Sequence, residues 1–68
     1  MRIDKEKLQL AMANKCLSTK DLATEAGIAE QNISAYMSGR KNPKPMTVGK
    51  IAKVLEVKVE DIVKTQNN

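Results

Sequence analysis

The strongest constraint on the fold is the spacing of small and apolar residues in the middle third of the chain. Leu22 and Ala23 are followed by Gly27 and then by Ile33. At this spacing two short helices can cross at a steep angle around one tight turn. Ala23 permits a close approach, and Gly27 can adopt the left-handed conformation without steric penalty. The pattern predicts a helix-turn-helix over residues 18–38, and a bulkier residue at position 23 or 27 is expected to open the crossing angle.

Length and composition set the outer limits on the fold. With 68 residues, of which 41% are apolar, residues 1–68 are expected to form a single domain with one small core. The chain has one Tyr and no Phe or Trp, so aliphatic residues must fill that core. One cysteine and no histidine exclude an internal disulfide and the common zinc sites, and we expect no cofactor or small-molecule ligand. Because no apolar run could span a membrane or act as a signal peptide, we expect a cytoplasmic protein.

Four helix starts are indicated by pairs of apolar residues five positions apart, each of which can form a hydrophobic staple around an N-cap. The pairs are Ile3 with Leu8, Leu17 with Leu22, Ile28 with Ile33, and Val57 with Ile62, and the predicted caps are Asp4, Ser18, Ala29 and Lys58. A further helix is predicted to begin at Pro45, because proline suits the first helical position. The resulting all-α fold has five helices, over residues 4–15, 18–26, 29–38, 45–55 and 58–65, and no strands.

Charge indicates a polyanionic partner. The net charge is +4, and residues 31–55 contain no acidic residue. In a helix-turn-helix, the first turn of the second helix contacts base edges in the major groove of double-stranded DNA. Glu30, Gln31, Asn32 and Ala35 are the predicted base-contacting residues, and Ser34 is a weaker candidate. Amide side chains can bond adenine, a carboxylate can accept from cytosine, and an alanine methyl can pack on thymine.

Residues on both sides of this helix are predicted to contact phosphates. The amides of Ser18 and Thr19 begin the first helix of the motif, where the helix dipole favours anions. The loop after the second helix supplies hydroxyl, amide and cationic groups, and its predicted phosphate contacts are Ser38, Arg40, Lys41, Asn42 and Lys44. A solubilising loop is the alternative, but its position beside the base-contacting helix favours phosphate binding.

Four segments, in order and at the right spacing, resemble the Cro/CI class of helix-turn-helix regulators. They are LSTKDLATEAGI at 17–28, ISAYMSGRK at 33–41, PMTVGKIAKVL at 45–55 and VKVEDI at 57–62. The resemblance covers almost the whole chain and implies a compact five-helix, lambda-repressor-like domain. It further implies a transcriptional regulator, more often a repressor, that places its third helix in the major groove and binds a near-palindromic operator as a dimer. Regulators of this class are common in phages and mobile elements.

The chain departs from this family at four positions. Members often carry an Arg in the first helix paired with a Glu near the end of the third, and the matching residues here are Met12 and Met37. Two thioethers can replace a buried ion pair, because methionine packs adaptably and desolvating charges is costly. Glycine is usual where this chain has Cys16 and Glu56. If the backbone there is left-handed, each residue costs on the order of 1 kcal/mol.

A homodimer is expected, because a single module of this size buries only about 600 to 1,000 Å² on DNA. Val54, Val57, Val59 and Val63 could form the dimer surface, and core packing is an equally favoured interpretation of these valines. For Tyr36 we favour core packing over a phosphate contact.

The sequence does not favour an enzyme. It has no histidine and no glycine-rich phosphate loop, and its one cysteine has no evident basic partner. The alternative to DNA binding is a protein-interaction module of the same fold, such as an antitoxin or a regulator antagonist.

Overall fold

The structure is a computed structural model and describes residues 1–65. It contains four α-helices: α1 (Lys5–Asn14), α2 (Thr19–Ala26), α3 (Glu30–Ser38) and α4 (Pro45–Leu55). A 3-10 helix, Val59–Asp61, follows. No strand forms within these 65 residues, which confirms the all-α class. None of the helices in this part of the chain has the length and hydropathy needed to cross a membrane.

The helix starts follow the predicted caps. The Asp4 carboxylate accepts a hydrogen bond from the Lys7 amide at 3.1 Å. At Ser18 a capping box forms, in which the hydroxyl accepts from the Asp21 amide at 3.0 Å and the Asp21 carboxylate accepts from the Ser18 amide at 3.2 Å. Hydrogen bonding of the Asp21 carboxylate to the Ser18 backbone amide first, and to the Ser18 side chain second, lowers the pKa of Asp21. Pro45 occupies the first position of α4, as predicted.

The prediction of a fifth α-helix over residues 58–65 is wrong. Only one 3-10 turn forms, with the Ile62 amide donating to the Val59 carbonyl at 3.0 Å. In an α-helix the Ile62 carbonyl would accept a bond four residues later. Here it accepts from the Asp4 amide at 2.9 Å, and Ile3 and Val63 form an antiparallel bridge. Pairing with the N-terminal segment therefore replaces helix continuation.

The core is aliphatic, and all four α-helices contribute to it together with Ile3 and Ile62. Its buried residues are Ile3, Leu8, Ala11, Met12, Leu22, Ala23, Ile33, Val48, Ile51, Ala52, Leu55 and Ile62. None of the described polar or charged residues is buried. Met12 lies in this core and Met37 packs against it, so two apolar side chains occupy the positions at which the family often has an ion pair.

Tyr36 and the four valines of the C-terminal region are half-buried and pack against the core. The core-packing interpretation of both sets is therefore confirmed. These side chains are still partly accessible to solvent, so the valines could also contact a second copy of the chain. The predicted dimer therefore stays a prediction.

Two helices end at non-glycine residues in the left-handed region. Cys16 has φ 56° and Glu56 has φ 58°, so the condition for backbone strain is met at both positions. At the same helix ends, the Glu56 Oε2 atom forms an ion pair of 2.7 Å with the Nζ atom of Lys15. This pair joins the ends of α1 and α4. Their hydrogen bond lowers the pKa of Glu56 and raises the pKa of Lys15.

We predict that Cys16→Gly stabilises the protein by about 1 kcal/mol, because glycine removes the left-handed strain. The Cys16 side chain is exposed, so its removal leaves the core packing intact. The midpoint of thermal unfolding should rise by about 4–8 °C. Glu56→Gly is the comparison variant, and should gain less because it also removes the ion pair. A midpoint for Cys16→Gly at or below that of the unmodified protein would contradict this account.

Candidate nucleic-acid interface

The turn between α2 and α3 consists of Gly27, Ile28 and Ala29. Gly27 is left-handed, with φ 70°, and the Ile28 amide returns to the Ala23 carbonyl at 2.9 Å. Ala29 has an extended backbone and is the N-cap of α3. Below the turn Ala23 is buried, and Ile33 is fully buried. The helix-turn-helix geometry predicted from the spacing of these residues is therefore present.

The structure gives no steric reason for an added Cβ atom at Gly27 to open the crossing angle. A Cβ atom built at Gly27 meets nothing within 4 Å. The requirement for glycine there is conformational, since L-residues rarely adopt its φ of 70°. The steric argument applies instead to Ala23, which is buried in the core.

We predict that Gly27→Ala destabilises the protein by about 1 kcal/mol through backbone strain alone. Gly49 provides a matched control, because it lies inside α4 with a helical backbone and also has open space around a built Cβ. Gly49→Ala should stabilise by roughly 0.5–1 kcal/mol, since alanine favours helix. Urea denaturation measures both changes. Equal effects of the two substitutions would show that the turn does not require a left-handed residue.

The exposed face of α3 differs in part from the predicted one. Glu30 and Gln31 are exposed in its first turn, as expected, and Asn32 is half-buried. The prediction that Ala35 lies on the same face is wrong, because only 4% of its surface is exposed. Ser34 is exposed instead. The helical period accounts for the exposure of Ser34, since position 34 follows 30 and 31 by four and three residues. It does not account for the burial of Ala35, which follows the exposed Gln31 by four residues.

The loop after α3 is hydrogen-bonded to the last turn of the helix. The Ala35 carbonyl accepts from the amides of Arg40 at 3.0 Å and Lys41 at 3.3 Å. The Lys41 ammonium also donates to the Asn32 Oδ1 atom at 3.1 Å. Two predicted DNA-contacting residues, Asn32 and Lys41, are therefore bonded to each other. A bidentate contact of Asn32 with adenine would require this side-chain bond to break or rearrange.

The predicted phosphate-contacting residues surround α3 but are not equally accessible. Ser18 is exposed, yet its amide and hydroxyl are used in the capping box, and Thr19 is half-buried. Ser38 is exposed; its hydroxyl donates to the Ala35 carbonyl at 3.1 Å and accepts from the Arg40 Nε atom at 3.1 Å. Ser38 therefore orients Arg40 in the structure.

The cationic loop itself is firmly attached to the domain. Gly39 is left-handed, with φ 82°, and Pro43 is fully buried. The Met1 main-chain nitrogen donates to the Pro43 carbonyl at 3.0 Å. The remaining predicted phosphate contacts, Arg40, Lys41, Asn42 and Lys44, are all exposed. Within residues 1–65 the only ion pair is between Lys15 and Glu56, so the cations of this loop have no carboxylate partner there.

A model of the helix-turn-helix family matches residues 8–62 of the chain. The chain belongs to the Cro/CI-type helix-turn-helix family of transcriptional regulators. It is 40% identical over 58 residues to an uncharacterized HTH-type transcriptional regulator of Methanocaldococcus jannaschii. That alignment covers 85% of this chain and 88% of the relative.

Solved structures share this fold. The biofilm regulator SinR, in complex with DNA, is 25% identical with a TM-score of 0.79, over 85% of this chain and 97% of SinR. The restriction-modification controller C.AhdI of Aeromonas hydrophila is 21% identical with a TM-score of 0.77, over 84% of this chain and 86% of its own. A hydroxyethylphosphonate dioxygenase is 20% identical with a TM-score of 0.83. This chain spans only 15% of that enzyme, so the likeness to it is one of fold.

Proposed function

We propose that this helix-turn-helix protein binds double-stranded DNA sequence-specifically and represses transcription as a homodimer on a near-palindromic operator. The observation that carries the proposal is the exposed polar first turn of α3, bordered by a cationic loop without carboxylate partners in the described chain. Such a helix can enter the major groove while the flanking cations contact phosphates. The likeness to SinR, whose structure contains DNA, supports the same mode of binding.

Base contacts are assigned to Gln31 first, because its exposed amide can both donate and accept. Glu30 can accept from cytosine and Ser34 can bond several bases. Asn32 contributes if its bond to Lys41 exchanges for a base. Since Ala35 is buried, it is assigned no contact with thymine.

Phosphate contacts are assigned mainly to the loop that follows α3. Arg40, Lys41 and Lys44 supply charge, and Asn42 and Ser38 supply polar groups. At the start of α2 the contribution should be smaller, because the Asp21 carboxylate already accepts from the Ser18 amide at 3.2 Å and would repel a phosphate. Thr19 remains as a candidate at that helix end.

Dimerisation is proposed because one module alone buries too little surface for tight binding. Two copies would place their α3 helices in successive major grooves, about one helical turn apart. The partly accessible valines Val54, Val57, Val59 and Val63, around the end of α4, are the proposed contact surface.

Selection of bound duplexes from a random pool tests the proposal as a whole. We expect a near-palindromic consensus with half-sites about 10 base pairs apart. The affinity for that consensus should fall steeply between about 50 and 200 mM salt, since bound phosphates release counterions. Absence of any enriched duplex, together with a salt-insensitive complex with another protein, would favour the interaction-module alternative instead.

The two kinds of contact should respond differently to substitution. Gln31→Ala is expected to relax preference at one or two base pairs and to cost about 1–3 kcal/mol on the consensus only. Arg40→Ala should weaken binding to consensus and unrelated duplexes alike. Titration of each variant with both duplexes, followed by fluorescence anisotropy, measures the difference. If both substitutions affected every sequence equally, the assignment of base and phosphate contacts would be wrong.

A further inference from the structure

A small basic pocket lies between the N-terminal segment, the end of α3 and the segment after the 3-10 helix. Its cavity has a volume of about 130 Å³. Arg2, Lys5 and Lys64 line it, together with Ser38 and Asn42 of the loop region. Arg2 and Lys5 lie near the start of the sequence and Lys64 lies near its end, so the fold brings Lys64 to the other two.

Main-chain pairing holds two of these cations side by side. The Lys64 amide donates to the Arg2 carbonyl at 2.9 Å, next to the bridge between Ile3 and Val63. Like charges placed opposite each other on paired segments are destabilising. The arrangement therefore carries an electrostatic cost that an anion in the pocket would relieve.

No carboxylate of the described chain is within ion-pair distance of these cations. The pocket lining contains no Asp or Glu. The nearby carboxylates of Asp4 and Asp61 accept from the main-chain amides of Lys7 and Lys58. Within residues 1–65 none of the three cations takes part in an ion pair.

The pocket is continuous with the loop to which phosphate contacts are assigned. Ser38 and Asn42 belong to both, and the Met1 nitrogen is hydrogen-bonded to the Pro43 carbonyl at 3.0 Å. We propose that Arg2, Lys5 and Lys64 bind a backbone phosphate of the DNA beyond the reach of the loop cations. The guanidinium fork, two ammonium groups and the Asn42 amide together suit an anion with several acceptor oxygens. This inference rests on the proposed function.

Removing the three charges tests the proposal. The variant carrying Arg2→Gln, Lys5→Gln and Lys64→Gln should bind consensus and unrelated duplexes about tenfold more weakly near 150 mM salt. The slope of log affinity against log salt should fall by about 0.9 for each phosphate that the variant fails to neutralise. The matched control is Lys53→Gln, an exposed lysine on α4 away from the pocket, which should leave slope and affinity nearly unchanged. An unaltered slope in the triple variant, with the full protein still binding DNA, would overturn this inference and leave the proposed function intact.

Charge reversal at Lys64 separates a binding role from a structural one. With Lys64→Glu the new carboxylate would lie beside Arg2, so thermal stability should rise while DNA affinity falls. If these cations were needed for folding, the same substitution would lower the unfolding temperature. A drop in stability, or an unchanged affinity, would contradict the proposal.

A titration with sodium phosphate, using sodium chloride as reference, distinguishes a DNA phosphate from a free one. We expect the Gly39 and Lys64 amide resonances to shift with duplex, and the shifts to be reduced in the triple variant. Shifts with inorganic phosphate and none with duplex would assign the pocket to the free ion and overturn the DNA contact. Failure of the unmodified protein to bind any duplex would overturn both the function and this site.

Discussion

The close packing of α2 against α3 around the turn at Gly27 fixes the orientation of the proposed DNA-contacting helix. Ala23 of α2 and Ile33 of α3 are buried in the same core, and the Ile28 amide bonds to the Ala23 carbonyl. Because the inner side of α3 is anchored in the core, its outer side keeps Glu30, Gln31 and Ser34 exposed. Any loosening of this packing would change the direction of the helix and, with it, every contact proposed with bases.

A second constraint acts on the C-terminal end of α3. The left-handed Gly39, the buried Pro43 and the bond from Met1 to Pro43 hold the cationic loop against the domain. Phosphate-contacting groups on a fixed loop can set the register of a helix in the groove, because backbone contacts position while base contacts specify. Within residues 1–65 the cations of the loop and of the basic pocket form no ion pair. They repel each other in the isolated protein, and bound DNA would offset that cost.

Local features of the fold followed from the sequence, and features created by contacts between distant segments did not. The staple pairs located the caps Asp4 and Ser18, because capping depends on residues only a few positions apart. The predicted fifth helix does not form. Instead, the Ile62 carbonyl accepts a hydrogen bond from the Asp4 amide, and these two residues lie near opposite ends of the chain. The approach of Arg2 to Lys64 has the same non-local origin, since the Lys64 amide donates to the Arg2 carbonyl. The helical period favours Ser34 as an exposed residue, but it does not predict the burial of Ala35, which follows the exposed Gln31 by four residues.

The central claim is that the outer face of α3 is the surface that meets DNA. Amide chemical-shift mapping with a selected duplex tests it most directly. We expect the largest changes at Glu30, Gln31 and Ser34 and through the loop at residues 39–44, with little change at Leu10 and Ala13 on the outer side of α1. Large changes on α1 with an unperturbed α3 would contradict it.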